Sequence, residues 1–314
     1  MNYRRLGKSG LKISELSLGG WLTFGDSIQD QQLARQIIVK AYDSGMNFFD
    51  IADMYGAGES EKAMGKVLAE FPRHTVVISS KLFWPMSDDP NDRGLSRKHI
   101  MESIDKSLQR IGTDYVDMYF CHRWDPETPL EETIRAMDDL IHQGKVLYWG
   151  TSEWSADQIQ RSHDLADRYN LYKPQVEQPQ YNLIERRRFE QEIMPKAAEL
   201  GMGLVTWSPL ASGMLTGKYD EGIPQDTRLA QHNWLREGAF KDDRLERVRQ
   251  LKPIADSLGI SRAELVIAWV LRQPAISSVI TGATKLEQLE SNLRAAKLDL
   301  SEDILAQLDE IFEP

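Results

Sequence analysis

Four side chains in this sequence, Asp50, Tyr55, Lys81 and His122, are of types that can work as one chemical unit. A phenol with a pKa of about 10 is a poor acid at neutral pH. A neighbouring ammonium favours the phenolate and lowers that value towards the working range. Lys81 can supply the ammonium, and Asp50 can hold it charged and oriented through a charge-assisted hydrogen bond. His122 can orient the oxygen that takes the proton. The set suits proton donation by Tyr55 to an oxygen that gains negative charge, as a carbonyl oxygen does when hydride reaches its carbon.

Taken singly, each residue has an ordinary structural alternative: a cap or salt bridge for Asp50, a surface charge for Lys81, a packing role for His122 or Tyr55. Their joint placement argues against those alternatives. Other chemistries fit less well. Cys121 and His122 are adjacent, so on a strand they face opposite sides and cannot pair as nucleophile and base. The remaining histidines show no metal-ligand spacing. Gly56-Ala57-Gly58 begins like a dinucleotide fingerprint but lacks its third glycine and does not open from a strand.

The elements that must position these residues alternate along the chain. Short apolar runs occupy 16–20, 47–52, 75–81, 115–122, 146–152, 175–178, 204–208 and 277–282. Between them lie helical patterns such as Ile100, Ile104, Leu108 and Ile111. Capping boxes are expected at Thr128 with Glu131, Ser155 with Gln158, Ser261 with Glu264 and Thr284 with Glu287. Strand and helix in strict alternation imply parallel strands, and eight repeats favour closure into a (β/α)8 TIM barrel over an open sheet. The expectation is a single domain, 1–314, with a small β-hairpin around Gly7-Lys8-Ser9-Gly10 ahead of the first strand.

In such a barrel chemistry sits at the carboxyl ends of the strands. Asp50, Lys81 and His122 fall at or next to the ends of the second, third and fourth runs, with Tyr55 just beyond the second. The last run leads through Gly282 into a helix start at Thr284, where backbone N–H groups and the helix dipole favour an anion. Lys218 and Arg228, on the long seventh connection, are candidates to reach a phosphate. Trp21, Trp84, Trp124, Trp154, Trp207 and Trp234 all lie at or beyond strand ends and can line an apolar pocket.

Composition narrows the partners. A net charge of −10 argues against nucleic acid or an anionic membrane surface. The lone cysteine, Cys121, forms no intrachain disulfide and fits a reducing compartment. No signal-peptide core or 18-residue apolar span is present, so the expected location is the cytoplasm, without membrane insertion.

The segment FDIADMYG at 49–56, followed by Lys81 and His122, resembles the tetrad of the aldo-keto reductases, and the likeness covers nearly the whole chain. Within that superfamily, GLSRKHI at 94–100, DPETPLEET at 125–133, YWGTS at 148–152 and WSPLASG at 207–213 are most similar to the β subunits of voltage-gated potassium channels. The resemblance implies NADP(H) bound without a Rossmann domain, and a small carbonyl substrate. It implies that Trp207 stacks on the nicotinamide while Ser152 and Gln178 hold its carboxamide. Ser208, Pro209, Leu210, Ser212 and Lys218 would meet the pyrophosphate. Arg228, Thr284, Gln288 and Asn292 would meet the adenosine end, with Gly20, Trp21, Asp50 and Gly282 also at the cofactor. A homotetramer and a channel partner are further implications. Two positions depart from the channel subunits: His122 stands where they carry Asn, and Glu153 where they carry Arg. His122 favours an active reductase; the channel-like segments favour a cofactor-binding regulatory subunit.

Overall fold

The computed structural model describes residues 1–225, 227–234, 236 and 242–313, the side chains of 228 and 242 excepted. Two strands, β1 (Tyr3–Arg5) and β2 (Lys12–Ser14), pair antiparallel as the hairpin. Eight parallel strands then close into a barrel: β3 (Leu16–Gly19), β4 (Phe48–Asp50), β5 (Val77–Leu82), β6 (Val116–Cys121), β7 (Val146–Ser152), β8 (Val176–Gln178), β9 (Gly203–Thr206) and β10 (Ile276–Thr281). β10 pairs with β3 to complete the ring. Each strand matches one of the eight apolar runs to within two residues.

Burial on both faces explains why those runs are continuous rather than alternating. On β6, Met118 and Phe120 join the inner cluster with Phe48, Val77, Val176 and Val205. Tyr119 and Cys121 point outward into the layer beneath the helices. Cys121 therefore lies on the opposite face from His122, as the period of two requires.

The surrounding helices are set by local signals of unequal fidelity. Ser155 with Gln158 and Ser261 with Glu264 form complete capping boxes. The other two expected boxes do not form. Thr128 Oγ1 donates instead to Asp125, 2.8 Å away, and helix Leu130–His142 starts without a side-chain cap. Thr284 gives both its N–H and its hydroxyl to Gln288 Oε1, at 2.8 and 3.1 Å. In each case a nearer carboxylate or amide takes the hydroxyl that the box would have used.

The hairpin closes the amino-terminal end of the barrel. Leu6 and Ile13 are fully buried in the inner cluster. Gly7, at φ +56°, sits so close to the chain after helix Met194–Leu200 that a Cβ would lie 2.4 Å from Gly201 O. Only glycine fits both that angle and that gap. The opposite end, where the strands finish, is left to the connecting loops. Among the described residues no helix is long and apolar enough to cross a membrane.

Candidate active site

The strand ends gather the four expected residues. β4 ends at Asp50, β5 carries Lys81 one residue before its end, and His122 follows β6 directly. Tyr55 opens a one-turn 3-10 helix after β4, its N–H bonded to Ala52 O at 3.2 Å. Lys81 is completely buried. Its Nζ donates to Asp50 Oδ2 at 2.6 Å, to Ile51 O at 3.0 Å and to Tyr55 Oη at 3.1 Å. Three donors thus find three acceptors, which a buried ammonium requires. Asp50 Oδ1 accepts from Ser79 Oγ at 2.7 Å and Gln178 Nε2 at 3.0 Å.

Electrostatics divide the work. Burial, on its own, would lower the Lys81 pKa; Asp50 and the Tyr55 oxygen outweigh it, so Lys81 stays charged. For Tyr55 burial wins. It pushes the phenol above its usual 10, although Lys81 pulls the other way. The sequence-based expectation of a lowered phenol is therefore not met: the ammonium is in place, but dehydration exceeds it. His122 packs edge-on to Tyr55, ring centroids 5.9 Å apart. Burial, with Lys81 and Arg123 nearby, holds its imidazole well below 6.5 and hence neutral.

This buried Asp–Lys–Tyr relay beside a neutral histidine is on a par with the sequence match: the aldo/keto reductase family model covers residues 15–313. The chain belongs to the aldo/keto reductase family. It is accordingly an oxidoreductase of that superfamily. A protein of Arabidopsis thaliana named "Probable voltage-gated potassium channel subunit beta" is 48% identical over 320 residues, covering 100% of this chain and 97% of the relative. One of Oryza sativa subsp. japonica with the same name is 50% identical over 300 residues, covering 94% and 91%.

The residues expected at an aldo/keto reductase cofactor lie around the same rim. Gly20 follows β3 and donates its N–H to Asp50 O at 2.8 Å; a Cβ there would meet Ser60 Oγ at 2.3 Å. Trp21 stands edge-on to Trp207, centroids 6.0 Å apart. Ser152 ends β7 and gives its hydroxyl to Gln178 O at 2.9 Å. Gln178 is thus tied to both Asp50 and Ser152, a brace that the sequence did not reveal.

Beyond β9 the backbone turns repeatedly left-handed, at Ser208, Ala211, Ser212 and Gly213. Such turns gather N–H groups around an anion. Leu210 and Pro209 lie within this turn, and Lys218 folds back over it: a Cβ on Gly213 would lie 2.6 Å from Lys218 Nζ. Asn292 Nδ2 reaches Gly282 O at 3.4 Å, and helix Leu286–Ala295 begins with no side-chain cap on its first N–H groups. Arg228 opens the short helix Arg228–Gln231, but its side chain lies outside the described residues. The left-handed turn with a lysine above it, a second helix start and an indole suit the phosphates and ring of a dinucleotide, although the N–H groups of Ala211, Ser212 and Gly213 are bonded within the turn.

A 620 Å³ cleft lined by Phe71, Arg73, Tyr115 and Lys145 lies at the amino-terminal ends of the strands, away from Tyr55. The sequence reading missed Ser79 and Arg123 as contributors, and the contacts of Glu153. Ser79 shares the inner face of β5 with Lys81, a relation that the period of two carries. Glu153 accepts from Trp207 Nε1 at 3.0 Å and from Gln180 N–H at 2.6 Å, and pairs with Arg188 at 2.6 Å. Arg123, next to His122, gave no sequence signal of its own.

Proposed function

We propose that this chain is an NADPH-dependent reductase of aldehydes and reactive ketones, with Tyr55 as proton donor. The observation that carries the reading is Lys81 Nζ, fully buried and within hydrogen-bond distance of both Asp50 Oδ2 and Tyr55 Oη. A bound nicotinamide supplies hydride to the carbonyl carbon. Tyr55 gives its proton to the carbonyl oxygen as negative charge builds there. Lys81 stabilises the phenolate left behind, and Asp50 keeps Lys81 charged and aimed. His122, neutral and beside Tyr55, orients the substrate oxygen. Asp50 in turn is held by Ser79 and Gln178, so the relay is rigid before substrate arrives.

Residues that would hold the cofactor follow the rim: Trp207 against the nicotinamide, Ser152 and Gln178 near its carboxamide, Ser208–Ser212 with Lys218 at the pyrophosphate. Thr284, Gln288 and Asn292, with Arg228, supply partners for a 2′-phosphate and support NADP over NAD. Purified protein should oxidise NADPH when given small aromatic aldehydes, and Tyr55→Phe should cut the rate by roughly 10²–10⁴-fold. Wild-type turnover by Tyr55→Phe would remove Tyr55 from the mechanism.

The names of the two plant relatives favour a second reading, a subunit that docks on a potassium channel; we propose for it a cytoplasmic, NADP(H)-binding tetramer. It predicts cofactor retained through purification, slow turnover and a specific channel partner. Fast multiple turnover with no partner captured would dispose of it.

A further inference from the structure

Resting on the reductase reading, we infer that Arg123 selects carbonyl compounds bearing an anionic group, carboxylate or phosphate, close to the reacting carbonyl. Arg123 follows His122 at the end of β6. Its Nη1 donates to His122 O at 2.5 Å and reaches Ser152 Oγ at 3.5 Å. The guanidinium stands 5.7 Å from the ring centroid of Trp84, itself 6.4 Å from the His122 ring. Arg123 thus belongs to the wall that begins at Tyr55 and His122.

The neighbouring acids are each committed elsewhere. Asp50 holds Lys81, Ser79 and Gln178. Glu153 holds Arg188, Trp207 and the Gln180 N–H. Glu177 takes the Thr151 hydroxyl and the Trp154 N–H, and burial pushes it up to about 8, so it is neutral at pH 7. Asp125 is taken up by the N–H groups of Leu95 and Glu127 and by Thr128. Arg123 forms no ion pair among the described residues, and its Nε and Nη2 have no protein acceptor there.

Glu153 acts on the guanidinium only through space, and burial still outweighs it, so a half-buried fork with no carboxylate in contact among the described residues is a costly arrangement unless a ligand completes it. The fork geometry matches carboxylate and phosphate oxygens two at a time. Its charge also reaches the phenol and the imidazole, acting against protonation of His122 and favouring the Tyr55 phenolate. An anion on the substrate would therefore be fixed by the same wall that receives the carbonyl oxygen.

The test compares matched aldehydes with NADPH. 3-Carboxybenzaldehyde is set against its neutral methyl ester, and 3-formylphenyl phosphate against 3-methoxybenzaldehyde. Wild type should prefer the anion by about tenfold to a hundredfold in kcat/KM, the range of one charge-assisted pair. The better of the two pairs identifies carboxylate or phosphate as the favoured group. In Arg123→Met the anion-to-neutral ratio should fall to about one or below, with Arg123→Lys between; the ratio cancels any loss common to both substrates. A wild-type ratio near one, or a ratio unchanged in Arg123→Met, overturns the inference. So does weakened NADPH binding in Arg123→Met with the ratio intact. Should wild type reduce none of the four aldehydes, the reductase reading falls instead. Quenching of tryptophan fluorescence by benzoate against benzamide then decides the anion preference. Benzoate favoured by wild type but not by Arg123→Met supports it, and equal binding overturns it.

Discussion

Lys81 and Asp50 meet at 2.6 Å at a point where Lys81 has no exposure to water, so each is the other's counter-charge. Removing one partner of a buried pair leaves an uncompensated charge and costs about 3–5 kcal/mol, whereas removing both costs far less. Lys81→Met should therefore lower the urea midpoint sharply, and Asp50→Asn combined with Lys81→Met should recover much of the loss. Simple additivity of the two single effects would show that the pair is not coupled.

The ionisation of Tyr55 and His122 fixes the shape of the pH profile. Tyr55 is pushed above 10, and as the proposed proton donor it must carry its proton, so activity should be lost only as pH rises through that high value. His122 is held well below 6.5 and stays neutral on the acid side. Reduction rates at saturating substrate should be level across neutral and mildly alkaline pH. Alcohol oxidation, which needs the phenolate, should climb steadily over the same interval. A midpoint near neutrality in the reduction profile would mean that burial does not dominate the phenol.

Asp53, two residues before Tyr55, is buried with Oδ1 unpartnered among the described residues and Oδ2 accepting from Ser103 at 3.2 Å. Burial, with Glu61 adding to it, raises its pKa from 3.8 to about 8. The folded state therefore holds a proton that the unfolded chain releases, and stability falls as pH rises from about 4 to about 8. Asp53→Asn, which cannot ionise, should lose this dependence. Urea titrations of both proteins at pH 5 and pH 8 should show the variant gaining on wild type at the higher pH. A constant gap contradicts the assignment.

Glu153 fastens the indole of Trp207 and is itself fixed by Arg188 and the Gln180 N–H. Glu153→Ala frees that ring. A hydrogen bond to a charged group is worth about 1.5–3 kcal/mol, so NADPH binding should weaken by roughly tenfold or more, with a smaller change in kcat. Titration of cofactor fluorescence measures it, and unchanged affinity would separate Glu153 from the nicotinamide site.

The barrel was legible because its signals are local and repeated: each apolar run ends in polar residues that begin a turn. Asp50, Lys81 and His122 could be placed on one rim because strand ends in this architecture share a side. What escaped depends on chain segments distant in sequence. Glu153 reaches Trp207 only because β7 and β9 both finish near β8. Gln178 spans 128 positions to brace Asp50. The capping boxes at Thr128 and Thr284 failed for the same reason in miniature, since spacing names the candidates but not the competitor that wins the hydroxyl. The dehydration that raises Tyr55 likewise belongs to the assembled site rather than to any motif.

The hairpin that plugs the barrel with Leu6 and Ile13 turns the molecule into a cup with one door. Nothing can pass through the floor, so whatever enters the rim must leave by it. Of two molecules sharing such a vessel, the one lying deeper arrives first and departs last. Order of binding then follows from depth, and freeing the inner occupant, rather than the chemistry above it, can set the pace of each cycle.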